Sequence, residues 1–333
     1  MTAMNWTPAE LLKLTGNYWD SCTLHAAVKL DLFTPLADRP LTATELAEQR
    51  GLSARGVAML LDALTALQLT SKQKQQYQAT PFAAEFLNKS APGYLGYIIL
   101  HHHHLVASWA RLDEAVRSGG PVRRRVSHEA EAEERESFLM GMFNLAMLLA
   151  PRVAAQIDLS NRRRLLDLGG GPGTYAIHFC RQNPGLEALI FDLPTTKPFA
   201  ERTLADFGMT PRIEFAAGDF SSDPIPGTFD VTWLSHILHS EGEDECAALL
   251  AKAAAALEPG GLLLVQEFIL QADRAGPPFP ALFSLNMLLG TPHGQAYSEP
   301  ELKALLKRAG LNKVERLPLE LPNGAGVMAA RKP

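Results

Sequence analysis

The chain has 333 residues, of which 47% are hydrophobic and 20% charged, with a formal net charge of −5 and a pI near 6.1. That length accommodates two domains of ordinary size, and the acidic balance gives no general attraction to nucleic acid or to an anionic membrane. Cys22, Cys180 and Cys246 are too few and too scattered for a disulfide framework or a zinc site, so no metal is expected.

No apolar run approaches the ~18 residues of a membrane span, and the N-terminus lacks a signal-peptide layout, which makes the cytoplasm the expected location. Residues 1–90 read as helical and then winged. Leu24, Ala27, Val28 and Leu32 recur at helical spacing. Two helices then flank Gly51, the first capped by Thr42 or Thr44 and the second, running to about Leu67, by Ser53. Residues 69–79 alternate in polarity and form the expected wing. A winged helix-turn-helix reads DNA or serves as a dimerisation platform. The recognition-helix position, 54–67, carries Arg55 as its only cation and no Lys, Asn or Gln, which argues for the second use.

Residues 91–160 read as connecting helices. His101, His102, His103 and His104 are consecutive within one of them, so they point in about four directions and cannot all ligate one metal. Residues 121–136 form a charged, irregular interruption, and Arg123 to Arg125, like Arg162 to Arg164, read as solvated basic runs. Residues 138–157 are apolar and helical with a break at Pro151. Met140, Met142, Phe143 and Met147 give this stretch a deformable face, suited either to core packing or to a flat guest.

From residue 161 strands and helices alternate, as in a doubly wound sheet. Strands are expected at 164–168, 188–191, 213–216, 230–234 and 262–268, with a hairpin of 314–320 and 326–331. The order fits seven strands with one antiparallel edge strand. Asp167-Leu-Gly169-Gly-Gly171-Pro-Gly173 follows the first strand and precedes a helix. Glycines there permit positive φ and close approach of a ligand to the backbone. A dinucleotide fingerprint would need its third glycine at Thr174, and the last glycine instead falls one place early. Asp192 ends the second strand 25 positions after Asp167, where a ribose-binding carboxylate belongs; the plainer role for Asp192 is a helix cap ahead of Pro194. Gly218-Asp219-Phe220 follows the third strand, Ser235-His236-Ile-Leu-His239 the fourth, and Glu267 ends the fifth.

The run from Asp167 to Gly173 resembles motif I of the S-adenosyl-L-methionine (SAM) methyltransferases. Nearly the whole chain, from Leu24 to Arg331, resembles the small-molecule O-methyltransferases of the caffeic acid, hydroxyindole and anthracycline type. The matches are the glycine loop, Phe191-Asp192-Leu193-Pro194, Gly218-Asp219-Phe220, the 28-residue interval from His239 to Glu267, Gly260-Gly261, Trp109 and residues 138–142. The resemblance implies an α/β, Rossmann-like, seven-stranded class I methyltransferase sheet with an N-terminal winged-helix dimerisation domain. It also implies a homodimer that uses SAM and yields S-adenosyl-L-homocysteine; on charge and composition, neither nucleic acid nor membrane is an expected partner.

By the same resemblance, Asp167, Gly169, Gly171, Gly173, Asp192, Leu193, Gly218, Asp219, Phe220 and Ser235 hold the cofactor. His103, His104, Met142, Asn144, His236, Phe283 and Met287 line the acceptor pocket. His239 is the expected general base and Glu267 its orienter, with His236 the competing base. A phenol titrates near ~10 and an imidazole near ~6.5, roughly 5 kcal/mol against full transfer. A base therefore helps most if the proton moves as the bond forms or if Glu267 stabilises the imidazolium. Two departures stand out: Ser240-Glu241 follow His239 where the family has Asp-Trp, and Ala296 stands where a second glutamate is expected. The expected reaction is methyl transfer to a hydroxyl of a small aromatic acceptor. The alternatives are C- or N-methylation from the same SAM site, and a winged-helix regulator that senses SAM and binds DNA.

Overall fold

The structure, a computed structural model, describes residues 6–333, so the first five residues of the segment read as 1–90 lie outside the described residues. By internal contact the chain forms two units: residues up to Val106 with Glu136–Asn144, and Ala107–Arg135 with Leu145–Pro333. The connecting stretch read as 91–160 is thus divided between them.

In the first unit, Thr42 closes a capping box with Glu45 at the start of helix Ala43–Arg50, and Gly51 ends that helix at φ 66°. Ser53 accepts from Gly56 N to cap helix Ala54–Ala66. Strands β1 (Leu41–Thr42), β2 (Thr70–Gln73) and β3 (Gln76–Ala79) form an antiparallel sheet in the order β1-β3-β2, and the β2–β3 hairpin falls where the wing is expected. Val57, Leu61 and Leu64 bury one helical stripe against Phe33, Leu46 and Tyr77. That helix therefore spends its apolar face on its own core.

The second unit is a sheet of β4 (Arg164–Leu168), β5 (Glu187–Asp192), β6 (Ile213–Ala217), β7 (Phe229–Ser235), β8 (Leu257–Leu270), β9 (Tyr297–Ser298), β10 (Asn312–Arg316) and β11 (Ala325–Arg331). Its order is β10-β11-β8-β7-β4-β5-β6, with the short β9 parallel to the end of β8. Alternate residues face opposite sides. Leu165, Ile190, Trp233 and Val327 pack under helices Ala150–Gln156, Thr174–Gln182 and Lys197–Asp206. Leu166, Phe191, Leu234 and Met328 pack under helices Glu243–Ala255 and Glu299–Arg308. Both faces are covered, as parallel sheets require.

Three expectations need correction. The antiparallel strand is not at the edge. β11 runs against both neighbours, and β10 outside it runs with the rest. The reason is composition: Ala-Gly-Val-Met-Ala-Ala in β11 can be buried on both faces, whereas Asn-Lys-Val-Glu-Arg in β10 tolerates an exposed edge. Next, residues 121–136 are less irregular than read, because helix Ala132–Met147 starts with Glu133 and Glu134 in its first turn, where the helix dipole favours acids. Last, the basic run Arg123 to Arg125 is not simply solvated: only Arg124 is exposed, and its neighbours are half-buried and hydrogen-bonded. The expected break occurs at Pro151, the first turn of helix Ala150–Gln156, which is bent 48° from Ala132–Met147. Among the described residues, no single helix is long and apolar enough to cross a membrane.

Candidate active site

Strands β4 and β7 are neighbours, yet the chain proceeds outward from them on opposite sides, to β5 and β6 from one and to β8 from the other. Such a reversal opens a crevice at the carboxyl ends of the strands. Two loops border it, residues 169–173 after β4 and 235–240 after β7.

The first loop has a backbone that only its glycines can supply. Gly169, Gly171 and Gly173 stand at φ 69°, 56° and 83°. A Cβ on Gly173 would come 2.5 Å from Ile190 Cδ1, and one on Gly170 2.6 Å from Asp167 Cγ. Ile237 and Phe220 close over Gly169, whose Cβ would lie 2.4 Å and 3.4 Å from them. At Gly171 a Cβ would meet nothing within 4 Å, so this is the open side of the loop.

Two carboxyls hold the loop. Asp167, 1% exposed, lies beneath it and accepts from Ala176 N at 3.2 Å. Burial pushes its pKa up to about 7, aided by the charge of Asp192 and opposed by the Ala176 hydrogen bond. Asp192 accepts from Gly171 N (2.8 Å) on one oxygen, and from Leu193 N (2.6 Å) and Thr196 Oγ1 (3.0 Å) on the other. Its pKa is also raised, burial outweighing those three bonds. Asp192 thus buckles the loop to the end of β5 as well as ending the strand. Gly218 N donates to Asp192 O at 2.9 Å, and a Cβ on Gly218 would strike the Phe191 ring at 2.5 Å. Asp219 folds back on its own turn, accepting from Ser221 N and donating its N–H to Asp223, both at 2.8 Å.

After β7 the chain does not enter a helix at once. Ser235 ends the strand, His236 follows at φ 57°, and Leu238–Ser240 is a single 3-10 turn. His236 and His239 therefore do not share a helical face; they converge on one carboxylate. Glu267 Oε2 lies 2.8 Å from His239 Nδ1 and 3.6 Å from His236 Nδ1, and Oε1 accepts from His239 N at 3.3 Å. Glu267 is 1% exposed. Burial alone would raise its pKa, but the charge of His239, the hydrogen bond from His239 Nδ1 and the nearby His236 outweigh it. The carboxyl is held well below the usual carboxylate range. Cys246 Sγ donates to Leu238 O at 3.1 Å, Tyr297 Oη to Glu241 O at 2.7 Å, and Arg125 pairs with Glu241, so the 3-10 turn is braced on three sides.

An aromatic wall stands beside this cluster. The His239 ring meets Phe283 edge-on at 4.7 Å, and His236 lies over Phe268 at 4.3 Å. Phe268, Phe279 and Phe283 contact one another, the last two stacked at 15°. Phe268 was missed in the sequence, although it directly follows Glu267 in the strand. Met287, one turn past Phe283, is buried.

The other residues expected to line an acceptor pocket, His103, His104, Met142 and Asn144, fall in the first unit. His103 Nε2 contacts Lys29 Nζ at 3.0 Å and its ring stands 5.9 Å from that of His25. His104 has a buried Nε2 without a hydrogen-bond partner among the described residues. Asn144 Nδ2 donates to Tyr94 O at 2.9 Å, and Met142 is half-buried.

A doubly wound sheet in this order, with a glycine corner on β4 that breaks the dinucleotide spacing and an acid at the end of β5, defines a class I SAM methyltransferase. Residues 109–312 match the model of the O-methyltransferase domain, and residues 12–89 that of the O-methyltransferase dimerisation domain. The chain is 37% identical to a 3-hydroxy-5-methyl-1-naphthoate 3-O-methyltransferase of Streptomyces sahachiroi, over 98% of this chain and 95% of that one. It is 36% identical to the tetracenomycin polyketide synthesis 8-O-methyl transferase TcmO of Streptomyces glaucescens, covering 98% and 97%. The crystal structure of human N-acetylserotonin methyltransferase in complex with SAM superposes with a TM-score of 0.86 at 27% identity, covering 100% and 99%. The chain belongs to the O-methyltransferase family and is a SAM-dependent O-methyltransferase. The crevice suits that cofactor. Gly171 leaves its side of the loop open, and the coupled acids Asp167 and Asp192 have no lysine or arginine in ion-pair contact among the described residues. SAM is a cation.

Proposed function

We propose that this enzyme methylates a hydroxyl on a small fused-ring aromatic acceptor, with His239 as general base. The observation that carries the reading is the 2.8 Å contact of His239 Nδ1 with the buried Glu267 carboxylate, beside the Phe268, Phe279 and Phe283 wall. Two relatives support the ring system by name, one acting on a naphthoate and one in tetracenomycin polyketide synthesis.

Bound in the crevice, SAM supplies an electrophilic methyl group on a sulfonium. Gly169, Gly171 and Gly173 would hold its amino-acid end, Asp192 its ribose, and Asp219 with Phe220 its adenine. Gly218, Leu193 and Ser235 shape the strand ends around it, while Asp167 supports the loop from below. The ionised Glu267 accepts a hydrogen bond from Nδ1, which fixes the tautomer and leaves Nε2 as the basic nitrogen. Nε2 would take the proton of the acceptor hydroxyl, and Glu267 would stabilise the resulting imidazolium. The phenylalanine wall presents a flat apolar face and keeps water from the histidine.

The dimerisation domain further supports a homodimer. Helix Pro8–Gly16 buries none of its residues, and Leu12, Tyr18 and Trp19 are 70%, 61% and 66% exposed. Light scattering that reports a monomer would overturn that part. The free thiols of Cys22, Cys180 and Cys246 suit a reducing compartment such as the cytoplasm. The functional reading is tested by incubating the enzyme with SAM and naphthols or hydroxynaphthoates and locating the new methyl group by NMR. Methylation at carbon or nitrogen, or none, would sink it.

A further inference from the structure

The segment 122–125 ties together the two walls of the histidine site. Val122 N and Arg123 N both donate to Leu289 O, at 3.0 Å and 3.1 Å, which fixes the segment against helix Pro278–Gly290. Arg125 reaches the other way, bonding Ser240 Oγ at 3.1 Å and pairing with Glu241, directly after His239. Arg123 lies between. Its Nη2 donates to Asn286 O and Asn286 Oδ1, both at 3.1 Å. Asn286 is three residues beyond Phe283, on the same helical face.

The two arginines differ in one respect. Arg125 has a carboxylate and Arg123 has none in ion-pair contact among the described residues. Arg123 Nε is buried without a hydrogen-bond partner. Burial lowers the guanidinium pKa from its usual value, and Glu134 opposes this only through its field. A guanidinium is a five-donor fork shaped for a carboxylate. Here it is half-buried with its Nε out of water, held in place and matched only by a neutral amide, an arrangement that an anion would complete. Gly290 makes the room: a Cβ there would come 2.6 Å from Arg123 Cζ.

We propose that Arg123 is the receptor for a carboxylate on the acceptor, so that the preferred substrate is an aromatic hydroxy acid. The inference rests on the fused-ring reading of the site above. The acceptor's ring lies on Phe283 with its hydroxyl at His239, and its carboxylate reaches Arg123, which sits along the same helix between Asn286 and Gly290, roughly 4.5 to 10.5 Å beyond Phe283. A fused ring bridges that span.

The test compares two acceptors, 6-hydroxy-2-naphthoate and 2-naphthol, in the wild type, Arg123→Met, Arg123→Lys and Gly290→Ala. Wild type should prefer the naphthoate in kcat/KM. Arg123→Met should lower the naphthoate-to-naphthol ratio at least tenfold, chiefly through KM. Arg123→Lys, which keeps the charge but not the fork, should lower it less. Gly290→Ala, which displaces the guanidinium without removing it, should shift the ratio the same way. A packing role for Arg123 predicts equal losses on both acceptors, and an unchanged ratio in Arg123→Met overturns the subsite. Methylation of 2-naphthol alone by the wild type also overturns it and leaves the fused-ring reading standing. Methylation of neither acceptor overturns both.

Discussion

His239 Nδ1 and Glu267 Oε2 stand 2.8 Å apart, although 28 residues separate them in the chain. The contact exists because β7 and β8 are parallel neighbours with Ser235 paired to Gln266, which sets Glu267 just beyond the end of β7. The 3-10 turn then folds His239 back over it. With the carboxyl held below its usual range by the two histidines, Glu267 carries the negative charge of the cluster. Replacing it with Gln keeps the shape but removes the charge that stabilises an imidazolium. Positioned bases contribute about 10²–10⁴-fold, so His239→Ala should lower kcat at least 100-fold and Glu267→Gln by a comparable factor. The double variant should lose little more than either single one, because the two act as a unit. Steady-state kinetics on all three decides this, and fully multiplicative losses would separate the pair.

His236 competes for the same carboxylate from 3.6 Å, and its ring is occupied with Phe268. Its φ of 57° lies in the left-handed region, which Asn tolerates and β-branched residues do not. His236→Asn is therefore the clean variant, and it should cost less than tenfold in kcat. His236→Val should lower the melting temperature as well, through backbone strain. If His236→Asn proves as damaging as His239→Ala, the proton goes to His236 instead.

Much of this site was legible in the sequence because it is built from strand ends. Asp192 and Ser235 end their strands, Asp167 stands one residue before the end of β4, and Glu267, read as a strand end, lies before Phe268-Ile269-Leu270 inside β8; a doubly wound sheet brings these carboxyl ends to one edge. The place of Phe268 was not legible, since a single aromatic after a carboxylate gives no sign of which rings it will meet. Arg123 and Arg125 were hidden differently. In the chain they are two of three consecutive arginines, and only tertiary packing separates exposed Arg124 from its bonded neighbours. The position of β11 inside β10 was readable from composition, yet the hairpin alone fits either order. Ala296 remains a real departure: it is fully buried, its N–H bonded to Ser284 Oγ, with no carboxylate in its place.

The glycine loop makes two kinds of substitution separable. Gly171 and Gly173 both have positive φ, so alanine at either costs about 1–2 kcal/mol of strain. At Gly173 the new methyl group would also meet Ile190 in the core, adding about 1–3 kcal/mol of overpacking. At Gly171 it would project into open space. Gly173→Ala should therefore show the larger fall in apo-protein stability. Gly171→Ala should fold nearly normally yet weaken SAM at least tenfold by calorimetry. Unimpaired SAM binding in Gly171→Ala would mean that the open side of the loop is not the ligand's side.

Asp167 gives the fold a pH dependence that can be worked out in sign. Its pKa of about 7 in the folded protein lies above the ordinary carboxylate value near 4. Between those two values the folded chain holds a proton that the unfolded chain has lost. Its contribution to stability is thus fully present below about 4 and declines as pH rises through about 7. The ceiling on this decline is on the order of 4 kcal/mol, since one pKa unit corresponds to about 1.4 kcal/mol. Asp167→Asn keeps an acceptor for Ala176 N and removes the titration, so apo-protein melting temperatures between pH 5 and pH 8 should fall less steeply than in the wild type. A residual slope should persist, because the raised pKa of Asp192 acts in the same direction. Parallel melting profiles for wild type and variant would mean that Asp167 is ionised throughout, and that a charged group outside the described contacts compensates it.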